Sequence, residues 1–132
     1  MEPRNATAAG GNPLTAVWDG AFGLPPFAAI APGHFSAAFD AALAAHRAEI
    51  DAIAGAAAPP DFVNTVEALE HAGRLLDRVS SVFFVLAGAD TGDAIEAVER
   101  EMSPKLAAHA NAIYLDDALF RRIDDLYRRP AR

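Results

Sequence analysis

The stretch from Asn64 to Leu86, NTVEALEHAGRLLDRVSSVFFVL, constrains this chain more than any other. Val66, Leu69, Leu76, Val79, Phe83 and Leu86 recur at intervals of three, four or seven, which keeps one side of a helix apolar. Asn64 and Glu67 stand at capping-box spacing, so the Asn side chain can accept a free backbone N–H at the helix start. Val82 to Ala87 are apolar without a break, which predicts burial of that end on more than one side. At about 1.5 Å per residue the stretch predicts a rod of roughly 34 Å. A rod of that length cannot hide its own stripe, so other helices must cover it.

Its partners are legible in the flanking sequence. Phe35, Phe39, Leu43, His46, Ile50 and Ile53 form the seam of a helix that starts near Pro32 and stops at Gly55, with Pro59-Pro60 forbidding continuation. Ile95, Val98, Met102, Leu106, His109 and Ile113 form a third stripe. It begins after Asp90 or Thr91 as cap and should kink or restart before Pro104. Leu115-Asp116 reads as a staple residue and an N-cap for a short helix carrying Leu119, Phe120, Ile123, Leu126 and Tyr127. The expected fold is all-α. Four helices, at about 32–54, 65–87, 92–113 (kinked at Pro104) and 117–128, pair as antiparallel hairpins. Residues 1–11 read as a disordered tail and 12–132 as one helical domain. Between them, residues 12–31 hold three Pro and two Gly and cannot form a long helix. They are also too apolar for a free linker, so an extended strap is expected, its aromatic side chains docked on the helices and Pro25-Pro26 in polyproline II geometry.

Composition removes several function classes. The net charge of −7 disfavours nucleic acid and anionic membranes as partners. The absence of cysteine excludes disulfides and thiol catalysis and fits a reducing, cytoplasmic setting. No apolar run approaches the ~20 residues of a membrane span, and the first residues lack the apolar core of a signal peptide.

No residue pattern in the sequence has the spacing of a reactive site. The histidines stand at 34, 46, 71 and 109, and no two have the i,i+4 spacing of a zinc helix HExxH; Leu75 occupies the place of a second His after Glu70-His71. His46, on an apolar seam, reads as a hydrogen-bonded core or boundary residue, and His34 as exposed. Glu67, Glu70, His71, Arg74, Asp77 and Arg78 read as a solvated face, and Asp116-Asp117 and Asp124-Asp125 as caps and surface. No glycine-rich phosphate loop and no nucleophile motif is present. No catalytic, cofactor-binding or metal-ligating residue is therefore assigned.

The segments NPL at 12–14, WDGAFGLPPF at 18–27, Ile30 to Ala54, PPDFVNTVEALEHAGRLLDRVSSVFFVLAGADTGD at 59–93 and EREMSPKLAAHANAIYLDDALFRRID at 99–124 carry a resemblance. They are similar to the opening part of bacterial peptidyl-dipeptidases of the thimet-oligopeptidase family of zinc peptidases, which includes oligopeptidase A. The resemblance implies an N-terminal helical region forming part of one wall of a deep cleft that admits short peptides. It implies that zinc, the HExxH helix and the substrate-binding residues belong to the remainder of the parent chain; no position here matches those motifs. The 132 residues are thus expected to bind no cofactor, to be inactive alone, and to have the rest of the peptidase as partner. An alternative is a stand-alone helical interaction or oligomerisation module derived from it. Helices shaped against a larger body should leave apolar surface uncovered, so self-association of the isolated chain, or a strap folded over the gap, is also expected.

Overall fold

A computed structural model describes residues 11–18, 20–89 and 92–128. Its elements are α1 (Gly33–Ala54), a π-helical turn (Phe62–Glu67), α2 (Ala68–His71), α3 (Arg74–Ala89), α4 (Asp93–Tyr114) and α5 (Asp117–Arg128). There is no strand among the described residues, and the fold is all-α. α1 is the central element and packs against α2, α3, α4 and α5.

Two clusters divide the core along α1. Its first half presents Phe35, Ala38, Phe39 and Ala42 to Val79, Val82 and Phe83 of α3, to Ile95, Val98 and Met102 of α4, and to Leu14. Phe83 meets Phe35 and Phe39 edge-on, with ring centroids 5.2 and 5.5 Å apart. Edge-to-face packing sets the positive rim of one ring on the negative face of another. The second half of α1 presents Ile50 and Ile53 to Leu119 of α5, with Leu69 and Ile113 at the border.

The predicted rod at 65–87 is not one helix. Ala72 takes extended angles and Gly73 a φ of +79°, which ends α2 and starts α3 in a new direction. A β-carbon at Gly73 would lie 2.9 Å from His46 Nε2, so α1 approaches the chain here as only glycine permits. The capping box also sits three residues earlier than expected. Asp61 Oδ1 accepts from Asn64 N at 2.6 Å, and Asn64 Oδ1 accepts from Asp61 N at 2.8 Å. Asn64 is thus the third residue of the turn rather than its cap. Its Nδ2 also donates to the Pro59 carbonyl, and Thr65, fully buried, donates to its Oδ1.

Other boundaries follow the sequence closely. α1 ends at Gly55, whose N–H returns to the Asp51 carbonyl. Asp116 caps α5, its Oδ1 accepting from Leu119 N at 3.0 Å. α4 runs through Pro104 with no restart. Pro104 and Arg100 are both exposed, so the Arg100 carbonyl, which loses its ladder donor, lies on the solvent side. The cap position of α4 is Gly92, without a side-chain bond; the expected caps Asp90 and Thr91 lie outside the described residues, as do residues 1–10 of the expected tail and residues 129–132.

The strap is held by its start and by Ile30 at its far end, which packs on the first cluster. Leu14 is fully buried, Asn12 Nδ2 donates to the His34 carbonyl, and Asn12 Oδ1 accepts from Leu14 N. Trp18 packs on the first cluster and donates to the Pro13 carbonyl at 2.8 Å. Beyond it the expected docking of aromatic side chains fails at Phe22. Phe22 is 96% exposed in a 3₁₀ turn, with a φ of +61° that few non-glycine residues adopt. Pro26 has ψ 66°, short of polyproline II, and leads into a second 3₁₀ turn at Phe27–Ala29.

Candidate functional site

No three His, Asp or Glu side chains among the described residues are grouped to hold a metal ion. What the fold does assemble is two arginine clamps, one histidine pair and a broad set of uncovered apolar side chains.

Arg78, placed on a solvated face by the sequence, instead holds the strap. Its Nη2 donates to the carbonyls of Leu14 and Ala16 at 2.6 and 2.7 Å, and its guanidinium stands 4.2 Å from the Trp18 ring centroid. Burial lowers its pKa from the ordinary value, yet an arginine stays charged, and a planar cation over an indole face is attracted by the ring quadrupole. Arg122 does the same at the other end. It is 9% exposed, and its Nη1 donates to the Ala56 and Ala58 carbonyls at 3.0 Å each while Nη2 reaches Asn64 Oδ1 at 3.2 Å. α5 is thereby tied to the loop after α1. Both arginines stand at helical spacing within an apolar row, Leu75-Arg78-Val82 and Leu119-Arg122-Leu126, and that was the signal available in the sequence.

The other polar side chains on the helix faces form ordinary surface pairs. Lys105 bonds Asp40 at 3.1 Å and lies 3.6 Å from Glu101, and the hydrogen bond to Asp40 raises its pKa. Arg74 turns to His71 at 2.6 Å rather than to Glu70. Arg128 pairs with Asp124. His34 caps the turn before α1, its Nδ1 accepting from Ala31 N.

His46 and His109, each met on an apolar stripe, are brought together across α1 and α4. Their facing nitrogens, His46 Nδ1 and His109 Nε2, are 2.8 Å apart, one ring donating and the other accepting. Desolvation, followed by the charges of His46 and Arg47, lowers the pKa of His109. Two imidazoles give a metal ion too few ligands for a structural site.

The apolar surface falls into two groups. On one side Phe84 and Val85 of α3 are 58% and 59% exposed, although the unbroken run Val82–Ala87 predicted burial on more than one side. Val85 joins Trp18, Pro25, Phe27, Arg78 and Val82 around a hollow of about 160 Å³. On the other side Phe120, Ile123 and Tyr127 form a second apolar row on α5, one residue on from the buried row, and Tyr114, Leu115, Phe62 and Val63 are exposed as well. Solvent-facing aromatics in this number are the mark of a surface that another body covers.

Two relatives are similar to this chain. The chain is 44% identical over 104 residues to a dipeptidyl carboxypeptidase of Salmonella typhimurium, covering 79% of this chain. It is 46% identical over 105 residues to a dipeptidyl carboxypeptidase of Escherichia coli, covering 80% of this chain. This chain is a homologue of the dipeptidyl carboxypeptidases. Each match takes in 15% of the relative, so the chain spans a small part of the length of the curated relatives it matches. No family model matches the chain. The homology reaches most of the helices whose outer faces are uncovered, and the greater part of each relative lies outside the match. No helix among the described residues is long and apolar enough to cross a membrane.

Proposed function

We propose that this chain is the N-terminal helical region of a zinc peptidyl-dipeptidase, an enzyme that removes dipeptides from the C-termini of short peptides. In that enzyme it forms part of the cleft wall that restricts entry to unstructured peptides. Zinc, the general base and the substrate-binding groups belong to the remainder of the polypeptide. There the metal supplies an activated water, and no residue of these 132 takes part in that step. The chain alone hydrolyses nothing, its natural partner is the rest of the peptidase, and the assembled enzyme works in the cytoplasm.

The observation that carries this reading is the pairing of homology with exposure. The two relatives are peptidases by name, they match about 80% of this chain, and its helices expose Phe84, Val85, Tyr114 and Phe120. The purified chain should release no dipeptide from a blocked hexapeptide at any zinc concentration, whereas the Escherichia coli relative assayed beside it should. Stoichiometric dipeptide release by the 132 residues alone would refute the assignment.

A further inference from the structure

The His46–His109 pair has no part in the peptidase reading, and its surroundings give it a task of its own. It joins α1 to α4, and the His46 ring also lies against Gly73, where α2 breaks from α3. Gly73 is buried and held at φ +79° with that ring beside it. The backbone on both sides of the break depends on few bonds: Ala72 N donates to the Ala68 carbonyl at 3.0 Å, and Asp77 N to the Gly73 carbonyl at 2.9 Å. We propose that the pair is a proton-operated latch, which holds α1 to α4 and seats the Ala72–Gly73 turn while one ring stays neutral, and lets go when both rings are protonated.

The chemistry is that of two facing nitrogens. With one ring neutral, an N–H on one side meets a lone pair on the other. With both protonated, two N–H donors of two cations confront each other at a distance that suits a hydrogen bond, and the contact becomes repulsive. The charges around the pair do not relieve this. On α1, Arg47 is a cation, and its own counter-charges are Asp51 at 3.0 Å and Asp116, the α5 cap, at 3.3 Å. On α4, Lys105 is another cation, engaged with Asp40 and Glu101. At the break, His71 bonds Arg74 and has Glu67 at 3.8 Å, and Asp77 on α3 is exposed. Among the described residues no carboxylate bonds either ring of the pair in the way Asp116 bonds Arg47.

The lowered pKa of His109 agrees in sign with this geometry. The closed state binds its last proton below the ordinary histidine value of about 6.5, and the open state binds it near that value. Opening therefore takes up a proton. It is favoured as pH falls from about 6.5 to the closed-state value, by up to about tenfold per pH unit for one linked proton.

The test is amide exchange on the 132-residue chain, with protection factors corrected for intrinsic rates, combined with NMR titration of the histidine rings. Protection at Ala72 and Asp77 should fall as pH drops below about 6.5, by up to about tenfold per pH unit. Protection at Ile95 and Glu96, which bond the Gly92 carbonyl away from the pair, should stay level. His109→Gln retains a donor and an acceptor and removes the second charge, so it should abolish the pH dependence at Ala72 and Asp77. Equal loss at all four amides, no loss down to pH 5, or an unchanged slope in His109→Gln would each overturn the proposal. If that variant does not fold, the ring titrations of the unmodified chain decide. Coupled titration with His109 below the ordinary value supports the latch, and two independent titrations at the ordinary value overturn it.

Discussion

Gly73 is the residue on which the path of the chain turns. Its positive φ and the His46 ring, 2.9 Å from where a β-carbon would stand, act in the same direction. Gly73→Ala should cost roughly 1–3 kcal/mol in urea unfolding. Gly88→Ala, inside α3 with nothing within 4 Å of the added carbon, should be neutral or stabilise by up to about 1 kcal/mol. Arg122→Met keeps the apolar stem and strips donors from the Ala56 and Ala58 carbonyls, and should cost about 2–3 kcal/mol by the same measurement. A loss under 0.5 kcal/mol would show that water replaces the guanidinium freely. At this scale the sequence was a partial guide. Asp116 was readable as a cap because a cap needs only local spacing, whereas Asn64 was misplaced by one turn because Asp61, three residues earlier, competes for the same geometry. Arg78 was read as surface because arginine usually is, although it stood in an apolar row, as does Arg122.

Among the elements, α1 and α5 matched their predicted spans because each has a clear stop or start: Gly55 for one, Asp116 for the other. The stretch 65–87 kept its apolar stripe and lost its continuity. A stripe is set by which side chains face the core, and that survives a break. The break itself is set by α1 coming close at Gly73, a tertiary fact that an isolated glycine only hints at. The strap departed further. Its Leu14 anchor holds because Asn12, Trp18 and Arg78 supply hydrogen bonds, while Phe22 and Leu24 have nothing to dock on within the described residues. Within α3, Phe83 is the element's keystone, touching Phe35 and Phe39 edge-on. Phe83→Ala should cost about 3–5 kcal/mol. That is a large share of the ~5–15 kcal/mol that holds a domain of this size, so the helical circular dichroism signal should melt at much lower temperature.

For the whole molecule, the decisive feature is how much apolar surface is left open. Phe84→Ser with Val85→Ser should leave stability within about 1 kcal/mol of the parent, since surface changes are usually within ±0.5 kcal/mol each. The same pair should reduce both hydrophobic-dye binding and self-association measured by light scattering. A loss comparable to that of Phe83→Ala would mean that these side chains are covered after all. The net charge of −7 does not prevent such association, because the apolar groups lie on helix faces and charge repulsion at physiological salt is screened within about 8 Å. The family was legible from phrases such as FVNTVEALE and RVSSVFF, and the two relatives agree with it. The uncovered face was anticipated in kind but not in place, since it depends on which side of α3 and α5 the other helices take.

In the proposed function this chain is a wall covered by the rest of a peptidase. The most direct measurement is titration of the Escherichia coli dipeptidyl carboxypeptidase, with its matching segment deleted, by this chain, followed as C-terminal dipeptide release. Restoration of hydrolysis that saturates at one chain per enzyme, and its loss with Phe84→Ser and Val85→Ser, is the predicted result. Full activity of the deleted enzyme without the chain, or restoration that ignores those two side chains, would contradict it.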